Sequence, residues 1–206
     1  MMTQIDYYLS PISPWTYLAG TRPAQIADAA GLALRYKPID PQALYLRTGG
    51  LPLGQRHESR QTYRQQELER WARRLGRPLT LRPAFFPANP APASYAIIAA
   101  QEAGGGDLAA LVTSLGRACW EEERNIAEDA VIRESLEGAG FDPALASTGL
   151  LQGAEIYPRN LEEAVAAGVF GVPFFCHGAA RFWGQDRLDF LAEHLGVPAP
   201  GASAPF

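Results

Sequence analysis

Strand-forming residues stand near the two ends of this 206-residue chain with helical sequence between them, and that placement limits the fold more than any other feature. Residues 5–9 (IDYYL) are rich in β-branched and aromatic side chains and stop at Ser10-Pro11; residues 32–39 (LALRYKPI) alternate apolar and polar. Between them Ser13-Pro14 has the form of a helix start, an N-cap serine with proline at the first helical position. Apolar spacing through Leu18, Ile26 and Ala30 predicts one helix ending at Gly31. At the far end, residues 172–176 (VPFFC), a His177-Gly178 turn and residues 181–183 (RFW) read as a hairpin, followed by a helix over 186–195. Everything between reads as helix, over 58–75, 93–103, 107–120, 129–138, 143–151 and 157–167, punctuated by Gly, Pro and Asp.

Neither terminal piece has enough strands to bury a sheet face alone, so the two must share one sheet. The expected fold is therefore α/β and thioredoxin-like. It has a four-stranded mixed sheet, parallel within the first unit and antiparallel at the hairpin, and a large all-helical insertion. Residues 1–41 and 166–206 form the thioredoxin-like domain, and residues 42–165 the inserted helical domain. A ligand belongs beyond the C-terminal end of the first strand, where residues 10–15 lead into the first helix. Apolar residues make up 47% of the chain and charged residues 19%, an ordinary globular balance that supports one sizeable core. The net charge of −4 argues against nucleic-acid binding through phosphate contacts. The first residues lack a basic, apolar leader and no run is long enough to span a bilayer, so a cytoplasmic protein without a membrane partner is expected. The Pro/Ala/Gly-rich tail 198–206 reads as poorly ordered.

Cys119 and Cys176 form neither a C-x-x-C pair nor a zinc spacing, and His57, His177 and His194 are scattered as surface residues are, so no metal site is expected. Ser13-Pro14-Trp15-Thr16 occupies the position where thioredoxin-fold redox proteins carry Cys-x-x-Cys, which excludes dithiol exchange there. Ser13 is either a helix cap alone or also a hydrogen-bond donor to a thiolate brought by a ligand. Pro173 is either an ordinary edge-strand proline or the cis-proline of this fold, which leaves the Val172 main chain to pair with a peptide-like ligand. Gln185 and Asp186, at the last helix start, suit a carboxylate and an ammonium, and Asp186 equally suits an N-cap. Asn89, in FFPANPAP, is a turn former or a ligand-orienting amide. Between Arg56 and Arg82 arginine dominates, either as solvated helix faces or as a positive field for an anionic substrate.

The segments DYYLSPISPWTYLAG, TGGLPL, YRQQELERWARRLG, FFPANPAP, CWEEERNIAE, GVFGVPFF and FWGQDRLDFL together resemble the 2-hydroxychromene-2-carboxylate isomerase family, which is similar to kappa-class glutathione transferases and DsbA-type proteins. The resemblance implies a glutathione-dependent cis-trans isomerase of aromatic-compound degradation, interconverting 2-hydroxychromene-2-carboxylate and trans-o-hydroxybenzylidenepyruvate. It places Ser13 beside the glutathione sulfur, makes Asn89 an active-site residue, gives Val172 before Pro173 the main-chain contacts, and has Gln185 with Asp186 hold the γ-glutamyl end. It also implies a homodimer. A kappa-like transferase that conjugates glutathione to electrophiles is the alternative, and a redox-dead peptide-binding platform is a third.

Overall fold

The computed structural model describes residues 3–200. In chain order the elements are β1 (Gln4–Leu9), α1 (Pro14–Ala19), α2 (Arg22–Ala29), β2 (Ala33–Pro38), α3 (Pro41–Thr48), α4 (Glu58–Leu75), α5 (Ala91–Ala103), α6 (Leu108–Trp120), α7 (Asp129–Gly138), α8 (Leu145–Thr148), α9 (Leu150–Ala166), β3 (Phe174–His177), β4 (Ala180–Trp183) and α10 (Leu188–Leu195). Short 3₁₀ turns at Leu53–Gln55 and Gln185–Arg187 precede α4 and α10. The four strands form one sheet in the order β2-β1-β3-β4. β1 runs parallel to β2 and antiparallel to β3, and β3 pairs antiparallel with β4, as expected of a thioredoxin-like sheet.

Alternation along β1 sends its side chains to two different cores. Ile5, Tyr7 and Leu9 enter the larger one, with Tyr17, Ile97, Leu115 and Trp120, while Tyr8 joins Ile39, Leu44, Val169 and Phe174 on the opposite face. Tyr7 stacks on Phe175 at 4.7 Å, which fastens the N-terminal strand to the C-terminal hairpin across the larger core. Among the described residues no helix is long and apolar enough to cross a membrane. Of the tail, residues 201–206 lie outside the described residues.

Several boundaries differ from the sequence reading. The single helix expected after Ser13 is two, because Gly20 takes φ 57 and ψ −139, a conformation that ends α1, and the chain restarts with Pro23 in the first turn of α2. α3 lay unread after Asp40-Pro41, although Asp40 caps it by accepting from the Gln42 N–H at 2.8 Å. The two helices expected over 143–151 and 157–167 are instead the four-residue α8 and a continuous α9 that runs through Pro158. Packing of α9 against α5, α3 and β2 outweighs the one backbone hydrogen bond a proline removes.

Candidate active site

A cavity of about 920 Å³ opens between α3 and α4 on one side and the segments around Val172 and Gly184 on the other. Trp15 at the start of α1, Tyr45 of α3, and Tyr63 and Trp71 of α4 give it aromatic walls. Val172, Gln185 and Asp186 line the opposite wall, so three of the residues singled out in the sequence converge there. The Val172–Pro173 bond is cis, and Phe86–Pro87, which carried no cue in the sequence reading, is cis as well.

Ser13 sits buried at the N-cap of α1, two residues before Trp15; its Oγ accepts from the Thr16 N–H at a long 3.4 Å. Among the described residues its own hydroxyl proton is donated to no protein group. The cap is thus real but weak, and the donor is left for something else. Asn89 is placed differently from the expectation. Its Oδ1 accepts from the Ala91 N–H at 3.1 Å, on an exposed turn before α5, and it is not on the cavity wall. The side chain closes a turn, as Asn-Pro does.

Gly184 explains how Asp186 comes to face the cavity. Its φ of 108 and ψ of 154 suit only glycine, its N–H donates to the Pro173 carbonyl at 2.9 Å, and a Cβ there would lie 2.3 Å from the Asp186 Oδ1. Gln185 is 1% exposed. Its Oε1 accepts from Arg22 Nη2 at 2.5 Å, and the buried Arg22 guanidinium also donates to the Leu18 and Ala19 carbonyls. A guanidinium only donates, so this contact orients the amide with its oxygen toward Arg22. Among the described residues Nε2 is then a buried donor without an acceptor, beside the cavity. An unmet donor of this kind costs about 1–3 kcal/mol, which a ligand oxygen recovers. Arg22 escaped the sequence reading because nothing local marks an arginine on a short helix as buried.

The charge of the cavity is lopsided. Arg56, Arg60, Arg64 and Arg187 line it, against Glu67 and Asp186. Glu67 is engaged by Arg70 at 2.5 Å, and Arg187 approaches Asp186 at 3.4 Å. Of the arginine-rich stretch, therefore, part is a positive wall and part, such as Arg70 paired with Glu67, is ordinary surface. Two of the three histidines also differ from the scattered surface set expected: His177 Nδ1 lies 3.1 Å from His194 Nε2, joining the end of β3 to the last turn of α10, while His57 caps α4.

The chain's own sulfurs take no part in this site. Burial pushes the Cys119 thiol up to about 12 and raises that of Cys176, so both stay protonated at neutral pH. Titration of the native protein with a thiol-specific disulfide reagent at pH 7 is expected to show no fast-reacting group, and both thiols are expected to react after denaturation. A rapid native thiol would contradict the buried placement.

Comparison with known proteins places the fold in a class. Residues 4–196 match the DSBA-like thioredoxin domain, so the protein is of the DsbA-like thioredoxin class. It is 31% identical to the 2-hydroxychromene-2-carboxylate isomerase of Sphingobium xenophagum over 202 residues, 95% of this chain and 99% of that protein. Its identity to the Pseudomonas putida protein of the same name is 30% over 200 residues, 93% and 94% of the two chains. A solved 2-hydroxychromene-2-carboxylate isomerase superposes with a TM-score of 0.74 at 28% identity, covering 94% of this chain and 95% of that one. The cytosolic disulfide reductase DsbM of Pseudomonas aeruginosa shares the fold at a TM-score of 0.61 and 24% identity, covering 87% of each chain. The chain belongs to the 2-hydroxychromene-2-carboxylate isomerase family and is an isomerase.

Proposed function

We propose that the protein is a glutathione-dependent cis-trans isomerase that interconverts 2-hydroxychromene-2-carboxylate and trans-o-hydroxybenzylidenepyruvate. The observation that carries this reading is a cavity lined by arginines and by the Gln185 amide, with the buried Ser13 two residues from its Trp15 wall and neither cysteine among its lining residues. Such a site needs a thiol delivered by a ligand. The relatives named above act on the chromene carboxylate, and the full-length likeness supports the same substrate here.

The residues present suit glutathione. The orphaned Gln185 Nε2 offers a donor to the γ-glutamyl carboxylate, and the neighbouring Asp186 carboxylate an acceptor for its ammonium. Val172 contributes main chain on the same wall. When bound, glutathione supplies a thiolate whose reversible addition to a conjugated alkene turns the double bond into a rotatable single bond. Ser13 donates its free proton to the sulfur and so favours the thiolate over the thiol. The arginines of α4 face the carboxylate and phenolate of the substrate, and the aromatic walls exclude water from its ring. Asn89 has no role in this reading, since its side chain is spent on closing the exposed turn before α5.

The test is the ultraviolet spectrum of 2-hydroxychromene-2-carboxylate followed with the purified protein, with and without glutathione. Conversion is expected only with glutathione, and total thiol is expected to stay constant. Stoichiometric loss of thiol would instead identify a conjugating transferase, and conversion without glutathione would remove the cofactor from the mechanism.

A further inference from the structure

Of the guanidinium groups of the cavity, those of Arg60 and Arg64 have no ion pair or hydrogen bond among the described residues, and Arg64 is the less exposed of the two. Among the described residues no carboxylate lies within ion-pair distance of it and no hydrogen bond engages it; its one specific neighbour is the Phe86 ring, 5.9 Å from the guanidinium carbon. Its surroundings deepen the deficit of negative charge. Arg60 precedes it by one helical turn on α4, a like-charge i,i+4 pair that weakens a helix, and Glu67, the carboxylate that would offset the pair, is turned to Arg70. Arg56, stacked on Tyr45, adds a further positive charge along the same wall. Burial and Arg56 together push the Arg64 guanidinium down to about 10, the direction expected of a cation short of a counter-ion, although it remains charged at neutral pH.

The packing ties Arg64 to the segment that precedes Ser13. Phe86, beneath Arg64, packs on Trp120 at 4.9 Å, and the Trp120 Nε1–H donates to the Ile12 carbonyl at 3.3 Å, one residue before Ser13. Arg64 is thus linked through two aromatic rings to the segment that carries the sulfur-facing hydroxyl. Gln185 and Asp186, which suit the amino-acid end of glutathione, belong to the segment that follows β4. A planar acid lying among Trp15, Tyr45 and Trp71 brings its carboxylate within the reach of Arg64 while its ring fills the aromatic space. We propose that Arg64 is the specificity-determining residue of the site, binding the carboxylate of a planar aromatic acid and not a carboxylate of glutathione. This rests on the isomerase reading for the identity of the reaction, but not for the binding itself.

The test compares the wild type with Arg64→Met, which keeps the stem and removes the charge, and Arg64→Lys, which keeps the charge without the fork. Binding of trans-cinnamate and of its uncharged methyl ester is followed by quenching of tryptophan fluorescence, glutathione affinity by calorimetry, and folding by the melting temperature. In Arg64→Met the affinity for the acid is expected to fall by roughly ten- to a hundredfold, the worth of one charge-assisted contact, with partial recovery in Arg64→Lys. Affinities for the ester and for glutathione are expected to stay within about twofold, inside the usual effect of a substitution away from a contact. Loss of glutathione affinity with the acid unaffected would assign Arg64 to the tripeptide and overturn the proposal, as would equal loss of acid and ester or failure of the wild type to bind the acid. Should the wild type bind cinnamate through Arg64 yet leave the chromene carboxylate unchanged, the proposal stands and the isomerase reading falls.

Discussion

Replacement of Ser13 by alanine is expected to lower the glutathione-dependent turnover number about a hundredfold, the loss seen when one preorganised donor to a developing or resident anion is removed. The hydroxyl is buried, its proton is uncommitted, and the 3.4 Å bond it accepts from Thr16 contributes little to holding α1. The effect should therefore fall on the ionisation of the bound sulfur and not on the fold. Glutathione affinity is expected to change by less than about threefold, since in the proposed reading the rest of the tripeptide is assigned to Gln185, Asp186 and the Val172 main chain. The thiolate absorbance of bound glutathione, titrated against pH, supplies a second readout: without the donor, the apparent pKa of the sulfur should rise. Unchanged turnover and an unchanged sulfur titration would take Ser13 out of the mechanism.

Gly153→Ala is expected to lower stability by about 3 kcal/mol, near the upper end for overpacking a well-filled core. Gly153 lies on α9 where it crosses α5, and an added Cβ would sit 2.3 Å from the Tyr95 Cβ and 2.6 Å from its Cα. The second of these is backbone, which no rotamer change removes, so the helices must separate. The adjacent turn is built the same way, Gly149 facing the Ala99 Cβ at 2.3 Å. For a chain of this length 3 kcal/mol corresponds to a fall of roughly 6–12 °C in melting temperature, readable by calorimetry. A change of less than about 2 °C would mean that α5 and α9 do not meet as closely as described.

What the sequence disclosed, and what it withheld, divides along physical lines. The four strands and their directions were legible because each strand is short, apolar and bounded by turn residues, and only one sheet satisfies four such strands. The converging site residues were legible for a related reason: Val172-Pro173 opens a strand and Gln185-Asp186 opens a helix, and both positions are marked locally. The break at Gly20 was hidden by apolar spacing that continues past it, and Asp40-Pro41 carried the same start signal as Ser13-Pro14 but lacked a strong apolar stripe behind it. Pro158 misled in the other direction, because tertiary packing on α5 holds α9 together where propensity would end it. Arg22 could not be read at all, and Arg64 only as one member of an arginine-rich stretch. Nothing local tells which arginine the fold turns inward, and that choice is made by partners elsewhere in the sequence, Gln185 for the first and Phe86 for the second.

The strand order carries a consequence for how the molecule comes into being. β1 is made first and lies inside the sheet, yet one of its two partners, through the pairing of Asp6 with Cys176, is made almost last. During synthesis the first strand and its parallel neighbour emerge with an open edge, and the long helical middle must leave the ribosome before the hairpin arrives to close it. Bringing two such distant segments together is entropically slow. The nascent chain thus holds Trp15 and the arginines of α4 for most of its synthesis without Val172, Gln185 and Asp186 opposite them, so the cavity is completed with the final strands and not by degrees.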